Sequence, residues 1–164
     1  PKEQQLQKNR GEIAVGTIRT SERQLKKHIS QMLPRELEYL GKRIKELTKG
    51  KVFYSKHLRE KEISFDATYV AEILCAQNVQ SLIVEYNITE MRDGSIDRRV
   101  VLRDNRERLV RLCTPSGEFV GMANLCIVVS LDTQRIVTAY WNKVGDNHQE
   151  TMNWARYNRD LVIC

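Results

Sequence analysis

The chain has 164 residues, 41% hydrophobic and 29% charged, with a net charge of +6. That is a globular composition, and a chain near this length buries roughly 70% of its unfolded surface with no need of a metal or disulfide staple. Eight glycines and three prolines exclude collagen-like and Pro-rich architectures. The longest uncharged apolar stretch, Phe119 to Leu131, is well short of the roughly 20 residues of a membrane span.

In chain order, residues 1–20 show no sustained periodicity and read as a flexible arm, with a polar start that lacks the apolar region of a signal peptide. Residues 21–164 read as a single domain, with a helical part over 21–78, a sheet over 81–142 and a tail over 143–164. Thr20 or Ser21 is a candidate helix cap, after which Leu25, Ile29 and Met32–Leu33 recur at helical spacing. Pro34 can open a second helix, where Leu37, Leu40, Ile44 and Leu47 make an apolar stripe that closes at Gly50. A third helix is expected from Ser64 or Asp66 through Tyr69, Val70, Ile73 and Leu74. From residue 81 the period becomes two. Leu82, Val84, Tyr86 and Ile88 alternate with Glu85, Asn87 and Thr89 in a first strand. A turn at Arg92-Asp93-Gly94 leads to strands over 98–103 and 106–114, and Pro115-Ser116-Gly117 makes the next turn. An apolar strand over 124–131, a turn at Asp132-Thr133 and a last strand over 135–142 complete the pattern. The expected fold is α+β, with N-terminal helices on one face of a four- to five-stranded antiparallel sheet.

The charge is unevenly placed. Residues 1–62 carry 16 Lys and Arg against 8 Asp and Glu, and residues 63–164 carry 11 against 13. A basic half beside a near-neutral one suggests a polyanionic partner, RNA or DNA, with the basic half making phosphate contacts. The candidate contacts are Lys42, Arg43 and Lys45 on the second helix, Arg98, Arg106 and Arg108 on the Arg-rich strands, and Trp154 as a stacking platform. On the sheet, alternation sets Glu85, Asn87, Thr89, Arg99, Arg103, Thr138, Tyr140 and Asn142 opposite the apolar residues, on the face expected to be wet.

Other chemistries have less to work with. Cys75, Cys113, Cys126 and Cys164 form no CxxC pair, so free buried thiols in a reducing cytosol are expected. Phosphate-cradling glycine motifs and a Gly-x-Ser-x-Gly elbow are absent. Asp146, His148 and Glu150 alternate in a loop, too weak a pattern to assign a metal. No metal and no cofactor are expected. Among the histidines, His28 reads as a surface residue between Lys27 and Ile29, leaving His57 and His148 as acid–base candidates.

His57, followed by a run of alternating charge and Ile63-Ser64, resembles the entry to domains of the barnase, colicin and RelE-like ribonuclease superfamily. The run Arg135-Ile-Val-Thr-Ala-Tyr-Trp-Asn142 is similar to the closing strands of those toxins, and the resemblance spans roughly residues 52–158. It implies a toxin-type ribonuclease, bacterial or phage-encoded, that cleaves tRNA or mRNA without a metal by 2′-OH attack on the adjacent phosphate. His57 would be an acid–base group, Arg99 or Arg103 the stabilising cation, and Thr138 and Tyr140 the groups that hold or protonate phosphate oxygens. His148 would be a second imidazole. An inhibitor or immunity protein is the implied partner, with no membrane, and the implied location is the cytoplasm, the cell's own or that of a target cell. Two other readings stay open: a non-catalytic nucleic-acid-binding or regulatory protein, and an interaction domain whose basic stripe docks an acidic partner.

Overall fold

A computed structural model describes residues 23–55, 67–146 and 157–164. The fold is α+β, built on a mostly antiparallel sheet of seven strands with two α-helices. The strands are β1 (Arg23–His28), β2 (Phe53–Tyr54), β3 (Ile83–Glu90), β4 (Ile96–Arg103), β5 (Arg108–Thr114), β6 (Gly117–Ser130) and β7 (Arg135–Lys143). The helices are α1 (Pro34–Leu47) and α2 (Ala67–Leu74). The spatial order is β1-β3-β4-β6-β7-β2, with β5 paired to β6 off this path, and β2 runs parallel to β7. Among the described residues no helix is long and apolar enough to cross a membrane.

The sheet is larger than the four to five strands expected, chiefly because two strands precede β3. The helix expected to begin at residue 21 is instead β1, followed by a single 3-10 turn at Ile29–Gln31. Arg23 through His28 pair antiparallel with β3, so tertiary pairing overrides a run without one β-branched side chain.

α1 starts as its sequence suggests. Pro34 takes the first helical position, and Glu36 accepts the Leu33 backbone N–H at 2.9 Å, one half of a capping box. Its residues Leu40, Ile44 and Leu47 share one apolar cluster with Tyr69, Val70, Ile73 and Leu74 of α2 and with Val100, Leu102, Leu125, Ile127 and Val129 of the sheet. α1 comes close to the turn at Val79–Leu82: a side chain at Gly41 would meet Gln80 Oε1 at 3.0 Å.

Register fixes what lies on each face, because directly opposed residues point the same way. Val100 opposes Val129, and Leu102 opposes Ile127, on the apolar face. The opposite face carries Gln24, Lys26 and His28 of β1, then Glu85, Asn87 and Thr89 of β3. Asp97, Arg99, Val101 and Arg103 of β4 follow, then Asn124, Cys126, Val128 and Ser130 of β6, and Thr138, Tyr140 and Asn142 of β7. Register shifts place Val84 and Val137 with Val101, Cys126 and Val128 in a small apolar patch amid these polar groups.

Candidate functional site

The face expected to be wet is instead shielded along β3, while Arg99, Arg103, Thr138, Tyr140 and Asn142 are half-buried. Glu85 is 4% exposed, and Thr89 and Ser130 are fully buried. Buried polar groups must find partners, and here they do so mainly with one another. Gln24 Nε2 donates to Thr89 Oγ1 at 3.3 Å, Thr89 Oγ1 to Asn87 Oδ1 at 3.1 Å, and Asn87 Nδ2 to Glu85 Oε2 at 3.4 Å. This series of hydrogen bonds ends at Tyr157, whose hydroxyl donates to Glu85 Oε1 at 2.6 Å. Lys26 Nζ stands 3.7 Å from Glu85 Oε2 and over the Tyr157 ring, whose edge meets His28 at 6.1 Å between centroids. Burial and then the Glu85 carboxylate push the Tyr157 phenol well above the ordinary tyrosine range, so it stays a donor.

The two arginines of this face differ in their partners. Arg99 Nε lies 2.7 Å from Asp97 Oδ2, while Asp97 Oδ1 accepts the Ser130 hydroxyl at 2.5 Å. Among the described residues Arg103 meets only neutral oxygens. Its Nε and Nη2 donate to Asn124 Oδ1 at 3.1 and 3.0 Å, Nη2 also to Lys143 O at 2.9 Å, and Nη1 to Asp146 O. Asn124 is held in turn through Nδ2 to Arg106 O at 3.0 Å. Arg103 is thus a fixed guanidinium with no carboxylate on it among the described residues, the arrangement that favours an incoming anion.

Tyr140 opposes Cys126, to which its hydroxyl donates; burial drives the thiol up to about 12 and keeps the phenol protonated. Thr138 opposes Val128 on the same face. Arg99, Arg103, Thr138 and Tyr140 therefore share one surface. His57, His148 and Trp154 lie outside the described residues.

The basic residues assigned to RNA contact lie elsewhere. Lys42 and Lys45 are exposed on α1, and Arg43 donates to Tyr39 Oη at 2.8 Å and Leu131 O at 3.3 Å. Arg98 lies in the apolar-face register of β4 and pairs with Asp132 at 3.2 Å. Arg106 and Arg108 stack on Tyr69 of α2, 4.3 and 4.7 Å from the ring centroid, and Arg106 also holds Asp104 and Glu72. None of these six shares the polar face.

Sequence reasoning overlooked Lys26, His28, Glu85 and Tyr157 as a cluster. His28, read as surface, is 2% exposed, and its Nδ1 meets Ser30 Oγ at 2.8 Å. The available signal was Glu85 in a strand otherwise rich in apolar residues. The cysteines are free as expected, but only Cys126 is buried; Cys75, Cys113 and Cys164 are exposed because they fall on a helix end, on the β5 ribbon and in the last residues. Among the described residues no group of three or more His, Cys, Asp or Glu could hold a metal ion. No protein-family model, curated protein or solved structure matches the chain.

Proposed function

We propose that the polar face is the reaction site of a metal-independent ribonuclease that cleaves RNA by attack of a 2′-OH on the adjacent phosphate. The observation that supports this reading is Arg103, a fixed cation that among the described residues meets only carbonyl oxygens. A phosphodiester entering this face would bring its negative charge to that guanidinium. As the phosphorane forms, added charge on its oxygens is stabilised by donors that need not reorganise.

The reaction needs a base for the 2′ proton and an acid for the departing 5′ oxygen. It leaves a 2′,3′-cyclic phosphate and a 5′-hydroxyl. Glu85 and His28 join His57 and His148 as candidates for these roles, and Thr138 and Tyr140 border the same surface. Lys42, Arg43 and Lys45 would serve as remote phosphate contacts, or as the docking surface of an acidic inhibitor. An RNA substrate would be met in a cytoplasm, the cell's own or that of a target cell.

The test is incubation with total RNA in EDTA, beside His57→Ala, Glu85→Gln and His28→Gln. Discrete fragments that disappear in one or more variants support the reading and identify the acid–base pair. RNA that is retained in a salt-dependent complex but left intact would replace it with a non-catalytic binding protein.

A further inference from the structure

Residues 157–164 cross from one face of the sheet to the other around its free edge. β1 is the outermost strand, and its open side takes up this segment through a parallel bridge between Lys26 and Tyr157, with Asn158 N donating to Lys26 O at 2.8 Å. On the polar face the segment delivers the Tyr157 hydroxyl to Glu85. On the apolar face Leu161 and Ile163 enter the large cluster.

One buried ion pair joins the three elements that meet there. Lys27 Nζ donates to both Glu36 oxygens at 2.9 and 3.0 Å and to Leu161 O at 3.0 Å. The two side chains are each only 4% exposed. Burying such a pair in place of apolar side chains is weak as a source of stability. Direction is what it adds: apolar contacts at Leu161 and Ile163 tolerate sliding, whereas one charge-assisted bond, from an ammonium itself held by both Glu36 oxygens, fixes where Leu161 O stands.

We propose that Lys27 and Glu36 are positioning residues for the polar face, setting Tyr157 on Glu85 from the opposite side of the sheet. The effect on RNA cleavage rests on the function proposed above; the coupling between the two faces does not. With the segment in register, Tyr157 occupies one Glu85 oxygen and leaves the other to Lys26 and Asn87. With the register lost, Glu85 is free to turn and the Tyr157 hydroxyl no longer fixes it.

The experiment labels the protein with 3-fluorotyrosine and assigns the Tyr157 fluorine resonance by its disappearance in Tyr157→Phe. In the wild type that resonance shifts when Glu85→Gln alters its acceptor. In Lys27→Met/Glu36→Leu, which leaves no lone buried charge, it should be displaced already and should not respond to Glu85→Gln. A double variant that fails to fold is replaced by Lys27→Gln, for which the same loss of response is expected. A resonance that still responds fully in the folded variant overturns the proposal. The variant's kcat on RNA should fall about tenfold with KM little changed, the pattern of a group acting through another in the transition state. Lost coupling with unchanged kcat overturns the positioning role. A wild type that cleaves no RNA overturns the proposed function, while the fluorine result still decides whether the two faces are coupled.

Discussion

Arg99 and Arg103 stand on the same face of β4, yet among the described residues only Arg99 has a carboxylate partner: Asp97 lies 2.7 Å from its Nε, while Arg103 is held by Asn124 Oδ1 and two backbone carbonyls. A cation already paired has little left for a substrate, so the two should differ in function. Arg103→Gln is expected to lower RNA cleavage by about 10²–10³-fold, the usual cost of one preorganised transition-state donor. Arg99→Gln should have the smaller effect on rate and the larger one on stability, because it leaves buried Asp97 without its cation. Single-turnover rates and urea midpoints for the two variants check this, and the reverse ranking would contradict it.

The thiols give a second outcome. Cys126 is fully buried and its thiol is pushed up to about 12, so it has almost no thiolate at neutral pH. Titration of the native protein with a disulfide reagent at pH 8 should modify Cys75, Cys113 and Cys164, all exposed, and reach Cys126 only in denaturant.

Tyr69 donates to Asp104 Oδ2 at 2.5 Å, and Asp104 is 4% exposed. Tyr69→Phe removes a bond to a buried charged group and should cost about 1.5–3 kcal/mol in urea unfolding. Tyr39→Phe, which loses only the half-buried contact from Arg43, should cost less than about 1 kcal/mol.

Burial alone would raise the Glu36 carboxyl, but the Leu33 N–H and Lys27 outweigh it and hold the group below its ordinary value. A depressed carboxyl stabilises the fold above its unfolded value, about 4.3, and loses that contribution as pH falls through the folded value. The stability gap between wild type and Glu36→Gln should therefore be constant from pH 7 to about 5 and shrink below about 4.3. A gap that widens on acidification would contradict the direction of the shift.

Much of the architecture was legible where local pattern and tertiary environment agree. The stripe of Leu40, Ile44 and Leu47 is the buried side of α1, and alternation correctly grouped Glu85, Asn87 and Thr89 with Arg99, Arg103, Thr138 and Tyr140. β1 was not legible. Its run Arg-Gln-Leu-Lys-Lys-His has helical spacing, and the burial inverts it: Leu25 is 51% exposed while Lys27 is 3% exposed. Only a carboxylate and a carbonyl from distant segments make Lys27 tolerable there, and no local signal announces them.

The burial of Glu85, Asn87 and Thr89 was not legible for the same reason. Period-two alternation says which residues share a face but not what covers it. The shielding of Glu85 depends on β1 and Tyr157, which lie far from it in the chain. Arg98, Arg106 and Arg108, named as RNA contacts from the Arg-rich strands, lie on other surfaces than Arg103, beside Asp132, Asp104 and the Tyr69 ring.

The most direct measurement uses a defined RNA oligonucleotide and its counterpart with 2′-deoxyribose at the cleaved position, each incubated in EDTA with wild type and Arg103→Gln. Cleavage by 2′-OH attack predicts that wild type cuts only the all-ribose strand, leaving a 2′,3′-cyclic phosphate, and that Arg103→Gln cuts it at least about a hundredfold more slowly. Cutting of the deoxy-substituted strand, or an undiminished rate in Arg103→Gln, would contradict the account.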